Sequence, residues 1–361
     1  MSQMKRVGLA AGLMAAALLV LAVPASAKTR TVTPGHSIQA AVDLSSPGDT
    51  VLVKKGTYHE YVTISDKDHI TLKGQKAVLK PSATPTGICA QPPQPELAGV
   101  CVVGRVTISA TGEPTVVRES VGDRVTGFKI SGFANDGIFA FGTSRFRGDH
   151  NTLSGNGEYG AFSNSSTRTR FDHNVVRGNK GEAGLYVGDS PNAHAVVTRN
   201  KVTNNHGEGI FLRDVSHGVA SRNRVSGNCI GIDVLADAPG PAGHWKISRN
   251  RVLNNNRECK ATTGDEGGPA LSGIGIILWG ADHTVVSRNV VHGHRHKHPS
   301  AVYGGIVAVR ANLTKGTAPI KDVISRNVAT RNRPDINWDK SGSVSFKRNT
   351  CNRSKPASVC S

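Results

Sequence analysis

Beyond Val23 the sequence has no long apolar run. That excludes a membrane-spanning helix from the rest of the chain, since a span needs about 20 consecutive apolar residues. No C-x2-C pair occurs, which argues against a zinc site. Apolar residues spaced at the helical period are missing from the repeating part of the chain, so a helical solenoid is excluded. Acidic residues are scarce: 26 Asp and Glu stand against 44 Lys and Arg, for a formal charge of +18. A chain this basic attracts polyanions.

What is present begins with a leader. Lys5 and Arg6 precede an apolar run from Val7 to Val23, and Ala25-Ser26-Ala27 is an A-x-A cleavage site. Residues 1–27 therefore read as a signal peptide, and 28–361 as one secreted domain, extracellular or cell-wall associated, with no membrane span after cleavage. Losing Lys5 and Arg6 lowers the formal charge to +16. Six cysteines in an exported chain imply three disulfides, with 15 pairings open. Order and register favour Cys89–Cys101, Cys229–Cys259 and Cys351–Cys360.

The chain keeps repeating one phrase. Ser221-Arg222-Asn223-Arg224-Val225 recurs as Arg199-Asn200-Lys201-Val202, Ser248-Arg249-Asn250-Arg251-Val252, Ser287-Arg288-Asn289 and Ser325-Arg326-Asn327. Weaker copies hold Asn151, Asn174 and Asn349, so the gaps between asparagines are 23, 26, 23, 27, 39, 38 and 22 residues. Five residues after each comes a second polar residue: Asn156, Asn179, Asn205, Asn228, Asn255, His294 and Asn332. Then follows Gly with an apolar partner, as in Gly209-Ile210 and Gly275-Ile276, opening a short alternating strand. A period in the twenties with occasional insertions is a solenoid of stacked coils. Equivalent residues then fall over one another about 4.8 Å apart, so the asparagines form a buried ladder of amides.

The N-terminal part carries a family resemblance. Ile38-Gln39-Ala40-Ala41-Val42, Pro47-Gly48-Asp49-Thr50-Val51 and Gly56-Thr57-Tyr58-His59-Glu60 resemble the opening of secreted right-handed parallel β-helix proteins of the pectin-lyase-like superfamily. The resemblance spans residues 33–350 and implies an all-β, right-handed parallel β-helix with a capping helix near 37–44. On this reading the N-terminal cap is 30–75, an inserted Pro-rich loop is 81–100, regular coils run 124–350 and a tail is 351–361. The motifs of two enzyme families in this fold are missing: the Asn-Thr-Asp, Gly-Asp-Asp, Gly-His-Gly and Arg-Ile-Lys set of polygalacturonases, and the Asp-Pro-His-Asp of mannuronan epimerases. The fold hosts lyases, hydrolases, epimerases and non-catalytic surface proteins, so it does not decide activity.

Alternation sorts the residues of the glycine-led strands. Ile138, Ala161, Leu185, Ile210, Ile232, Ile276 and Ile306 point inward, and Phe139, Phe162, Tyr186, Phe211, Asp233, Ile277 and Val307 outward. Two residues further on, Arg213, Leu235 and Trp279 also point out. Phe139, Phe162, Tyr186, Phe211 and Trp279 are thus candidate sugar-stacking residues on an exposed face, although such rings also simply stabilise stacked strands. Arg213, Asp233, Glu208 and Asp214 are candidate catalytic residues. In β-elimination from a uronate, Arg213 or Ca2+ neutralises the substrate carboxylate while a carboxylate takes the proton. Hydrolysis needs two carboxylates across the bond. Stacked carboxylates at the rims are candidate Ca2+ ligands or ordinary turn residues. The insertions 253–273 and 292–304 are expected to wall one rim. His292-Gly293-His294-Arg295-His296-Lys297-His298 is a candidate metal segment or a mobile basic loop. The column His150, His173, Arg199, Arg222, Arg249, Arg288, Arg326 and Arg348 is a solvent-facing positive stripe. Its partners in an exported chain are acidic polysaccharides or other envelope polyanions rather than nucleic acid. Two functions remain open: a monomeric enzyme on acidic polysaccharide, lyase or hydrolase, and a non-catalytic binding or structural protein.

Overall fold

A computed structural model describes residues 26–360 except 92–94, 110–111, 238–239, 263–267 and 313–315; most of the stretch 1–27 read above as a signal peptide therefore lies outside the described residues. Each coil contributes three short parallel strands. One sheet holds the glycine-led strands, such as Ile138–Phe141, Ala161–Asn164 and Ile230–Leu235. The second holds Arg147–Asp149, Arg170–Asp172 and Gly243–Ser248, among others. The third holds Thr152–Ser154, Lys201–Thr203, Arg224–Ser226 and their equivalents. Every coil-to-coil pairing is parallel and in register, which makes a right-handed parallel β-helix. No helix among the described residues is long and apolar enough to cross a membrane.

The helix Ile38–Asp43 covers the first coil with buried Ile38 and Val42. Its N-terminus is closed from the next coil: the Glu60 carboxylate accepts from the backbone N–H groups of Ile38 (2.9 Å) and Gln39 (3.0 Å). The orphan donors of the first turn and the carboxylate's charge satisfy each other there.

The interior is the stack of inward residues, from Ile64 and Leu72 through Phe128, Phe146 and Phe171 to Val225, Ile247 and Ile306. At the corner between the second and third sheets each asparagine amide bonds the next coil. Asn223 Nδ2 donates to Asn250 Oδ1 (3.0 Å), and Asn223 Oδ1 accepts from Asn200 N (2.9 Å). The second ladder works the same way from Asn156 to Asn255 and ends on His294, Asn332 and Asp335. The glycines before the first sheet are required by this second ladder. A Cβ at Gly209 would lie 2.6 Å from Gly231 O and 3.0 Å from Asn228 Nδ2, and would collide with Val225.

The three disulfides are Cys89–Cys101, Cys229–Cys259 and Cys351–Cys360. One unit was not foreseen: an antiparallel hairpin, Arg105–Ile108 with Pro114–Arg118. Arg118 anchors it to Asp66 and Asp68, at 2.7 and 2.9 Å. Its signal was present as two β-rich runs around Gly112, interrupting the repeat.

Candidate functional site

The outward column of the first sheet is in the predicted register. Phe139 and Phe162 stack with ring centroids 5.2 Å apart, and Phe162 and Tyr186 at 4.6 Å, while Phe211 meets Tyr186 edge-on. The column is not the open aromatic face that alternation suggested. Phe139 and Phe162 are half-buried, but Tyr186, Phe211 and Trp279 are 3%, 6% and 5% exposed and Asp233 is 2%. Tyr186 and Phe211 pack with Tyr159, Ala183, Phe162 and Leu235 of their own and adjoining coils, and at Trp279 a second apolar layer lies outside the sheet. Residues 270–272 and 300–301 pair with each other, through Ala301 N to Ala270 O and Ser272 N to Ser300 Oγ. Ile230, Ile274, Ile277, Val302, Val307 and Trp279 lie in one buried cluster with them. The insertions cover this end of the face instead of walling it. At the other end Cys101 lies opposite Phe139, and its disulfide to Cys89 ties the Pro-rich loop down.

The four candidate catalytic residues fall into two places. Phe211 is paired with Asp233, whereas Arg213 is paired with Leu235, so Arg213 and Asp233 are not neighbours. On the leading rim, Glu208 and Asp233 interact on adjoining coils, and Glu208 Oε2 and Asp233 Oδ1 are buried without a hydrogen-bond partner. Burial, and then their mutual repulsion, push the Glu208 carboxyl well above its ordinary range; burial raises Asp233 as well. On the trailing rim, Arg213 pairs with Asp237 (3.1 Å) and lies 4.0 Å from Asp214. Asn164 and Tyr186 hold Asp189 beside them at 2.7 and 3.3 Å. A strand's width of apolar side chains separates the acid pair from the arginine. The same leading rim holds Glu96, Asp136, Glu158 and Glu182, with Tyr159 Oη donating to Glu182 at 2.7 Å. Arg213 is already engaged by the Asp237 carboxylate, which leaves less of its charge for an acidic sugar chain.

The segment 292–298 is not a histidine cluster. His294 stands in the second ladder, fully buried, bonded to Asn255 and Asn332, and burial lowers its pKa to about 4. His296 stacks on Tyr303, and His292 bonds Thr330. Other histidines do gather, at the turn between the first and second sheets. His194, His217, His244 and His283 sit over one another on successive coils, with centroids 5.2, 4.6 and 5.0 Å apart. All four have positive φ, from 47° to 63°.

The basic stripe lies along the asparagine corner. Its residues also have positive φ, 57° at both Arg222 and Arg249. The backbone turns there so that the asparagine points in and its neighbours point out. Arg222, Arg249, Arg288 and Arg326 are exposed, and so are Lys201, Arg224 and Arg251 two residues later on the third sheet. The two columns make one ridge. Its N-terminal end is neutralised: Asp149 takes Arg124 at 2.6 Å and Arg147 at 3.3 Å, and Asp172 takes Arg170 at 3.2 Å and Arg199 at 3.8 Å. Burial would raise Asp149, yet the bonds from Arg124 and His150 hold it below its ordinary value. From Thr198 on, the position of those aspartates carries Thr or Ser, at Ser221, Ser248, Ser287 and Ser325. Arg222, Arg224, Arg249, Arg251, Arg288 and Arg326 accordingly have no carboxylate within 4.0 Å among the described residues.

Residues 43–268 match the protein family described as NosD, periplasmic copper-binding protein. The chain belongs to the NosD family. No curated protein matches it in sequence. Among solved structures, the A-module of Azotobacter vinelandii mannuronan C-5 epimerase AlgE4 superposes with a TM-score of 0.57 at 14% identity, covering 86% of this chain and 90% of that one. A double mutant of the periplasmic alginate epimerase AlgG gives 0.53 at 15%, over 88% and 83%. The alginate lyase from Paenibacillus sp. str. FPU-7 gives 0.50 at 15%, over 91% and 99%. At such identities this NosD-family chain shares their fold, the right-handed parallel β-helix.

Proposed function

We propose that this NosD-family chain is an exported β-helix protein that binds an acidic polysaccharide along the arginine ridge. The observation that carries the reading is the run of six exposed arginines, Arg222, Arg224, Arg249, Arg251, Arg288 and Arg326, with no carboxylate partner among the described residues. Neighbouring arginines one coil apart repel by about 1 kcal/mol per pair in water, and a bound polyanion removes that repulsion. Guanidinium forks suit carboxylates and sulfates, and the coil spacing is comparable to the length of one pyranose unit. The solved alginate enzymes of the same fold support the substrate class, and the leader sequence supports export.

The test is retention on immobilised alginate and hyaluronan. R222E/R249E, two exposed turn positions, should lose most of its retention with an unchanged melting curve, and wild-type binding should weaken as salt rises. Equal retention of variant and wild type would reject the ridge.

A catalytic reading draws its support from the Glu208–Asp233 pair, because a carboxyl held protonated near neutral pH is a candidate general acid. Ultraviolet-absorbing unsaturated product from pectate, alginate, hyaluronan or chondroitin, lost in Asp233→Asn, would favour it over pure binding.

A further inference from the structure

The two ends of the stack are closed differently. The helix Ile38–Asp43 covers the first coil. At the other end the tail returns over the first sheet: Ser354–Lys355 pairs with Ile336–Trp338, and Val359 and Cys360 pack on the interior. The second sheet ends on the strand Val344–Lys347. It pairs with Asp322–Ser325 on one side and, among the described residues, with no strand on the other. Asp322 N and Arg326 N donate to Ser343 O and Lys347 O of this last coil, at 3.2 and 2.9 Å, and Asn327 N donates to Asn349 Oδ1 at 3.0 Å. One coil on, the corresponding N–H groups of Val344, Arg348 and Asn349 face no further coil. The interior is short of cover at the same place. Ala308 and Ile324 are fully buried, but their partners in register, Trp338 and Phe346, are half-buried, with ring centroids 5.6 Å apart.

Charge selects what fits this edge. Lys340, Lys347, Arg348, Arg353 and Lys355 are exposed, and none has a carboxylate within 4.0 Å among the described residues. Two nearby carboxylates are already engaged. Asp335 is buried and accepts from Asn332 N, Asn352 N and Arg353 N; Asp339 accepts from Arg310 N and Ser341 N. An open edge strand is a template for another chain, and basic side chains on it turn away strands of like charge. A second copy of this chain does not fit: its last coil carries the same cations, and its first coil, under the helix, carries exposed Lys28 and Lys55. The same cations favour an acidic partner. Alternation gives the rest of the pattern, since Val344 and Phe346 face inward and Ser345 and Lys347 face out. An added strand needs apolar side chains over Val344 and Phe346, and carboxylates over Lys347 and Arg348.

We infer that Val344–Lys347 is a docking edge for a partner protein, which adds one parallel strand of alternating apolar residues ending in Asp or Glu. Main-chain bonds to the N–H groups of Val344 and Arg348 hold that strand, while Phe346 and the cations select it. The inference is independent of polysaccharide binding on the ridge.

The experiment follows a fluorescein-labelled peptide, Val-Thr-Val-Glu-Glu flanked by glycines, by anisotropy against the purified protein. Two further peptides carry lysine for glutamate, or glycine for valine. The acidic peptide should bind saturably and slow amide exchange at residues 344–349, and both altered peptides should bind at least about tenfold more weakly. Lys347→Glu/Arg348→Glu, at two exposed positions, should lose at least about tenfold in affinity for the acidic peptide and gain affinity for the lysine one. Val344→Pro removes an edge donor that no coil-to-coil bond uses, so it should weaken binding while the melting temperature stays near wild type. R222E/R249E should bind the peptide as wild type does, which separates this edge from the ridge. Equal binding of the glycine-substituted peptide would overturn the inference, because charge alone would then suffice. So would wild-type affinity in Lys347→Glu/Arg348→Glu, or no saturable binding of the acidic peptide.

Discussion

Asn223→Leu tests the principle on which the whole stack depends. The side chain lies in the middle of the ladder and makes four hydrogen bonds. Its Nδ2 reaches Asn250 Oδ1 (3.0 Å) and Val197 O (2.9 Å), and its Oδ1 receives Asn200 N (2.9 Å) and Asn200 Nδ2 (3.1 Å). Leucine fills the space and offers none of these. Asn200 Nδ2 keeps Phe171 O, and Asn250 Oδ1 keeps the backbone N–H of residue 223. The Asn200 N–H, however, loses its only side-chain acceptor while buried, which costs about 1–3 kcal/mol. The three other lost bonds add roughly 0.5–1.5 kcal/mol each, for a total of about 2.5–7.5 kcal/mol. A domain of this length has an unfolding entropy near 0.7 kcal/mol/K, so the melting temperature should fall by about 4–11 °C. Circular dichroism melts of wild type, Asn223→Leu, Asn200→Leu and the double variant form a cycle whose coupling should exceed 0.5 kcal/mol, because the two amides bond each other. Asn349→Leu, at the end of the column, should cost less, since its amide donates only to Ile324 O. An Asn223→Leu melt within one degree of wild type would refute buried amide stacking as a source of stability.

Three more outcomes follow from buried groups. Burial pushes Asp123 up to about 7 and Asp322 up to about 8. The folded state therefore holds more protons than the unfolded one between about pH 4 and pH 8, and stability falls as pH rises through that window, at roughly 1 kcal/mol per pH unit for each such group. Asp322→Asn keeps an acceptor for Thr284 N and should flatten the slope of melting temperature against pH; an unchanged slope would remove Asp322 from the account. Below pH 4 the sign reverses, because Asp149 and Asp172 are held below their ordinary values by arginine and hydroxyl partners despite burial. Replacing Cys229 and Cys259 with serine opens a loop with a sequence separation of 30 and should cost about 3–4 kcal/mol, measured by denaturant unfolding. Gly209→Val should fail to accumulate as folded protein, because its Cβ alone meets Val225 and the next coil's carbonyl.

The stacked architecture was legible because a solenoid converts sequence period into spatial contact. Once Asn200, Asn223 and Asn250 recur with the same neighbours, only one register places them all inside. The inward column, both ladders and the disulfides joining nearby positions follow from that register, while the capping helix was read from the resemblance carried by residues 38–60. Alternation also distinguished inward from outward at Ile210 and Phe211, since side chains on a strand have only two directions. What it could not decide was whether an outward residue meets solvent. Tyr186 and Phe211 are outward and buried because Tyr159, Ala183 and Leu235 pack around them, and Trp279 because Val302 and Leu271 of the insertions pack against it; insertions obey no repeat. The strand register itself, which pairs Asp233 with Phe211 and Leu235 with Arg213, keeps Asp233 apart from Arg213. The arginine ridge stayed open because no insertion reaches that corner among the described residues, and it stayed charged because Ser replaces Asp beside it from Ser221 onward. The period of the sequence determined where each repeated side chain points; the long-range packing of the segments outside the period decided which of them water can reach.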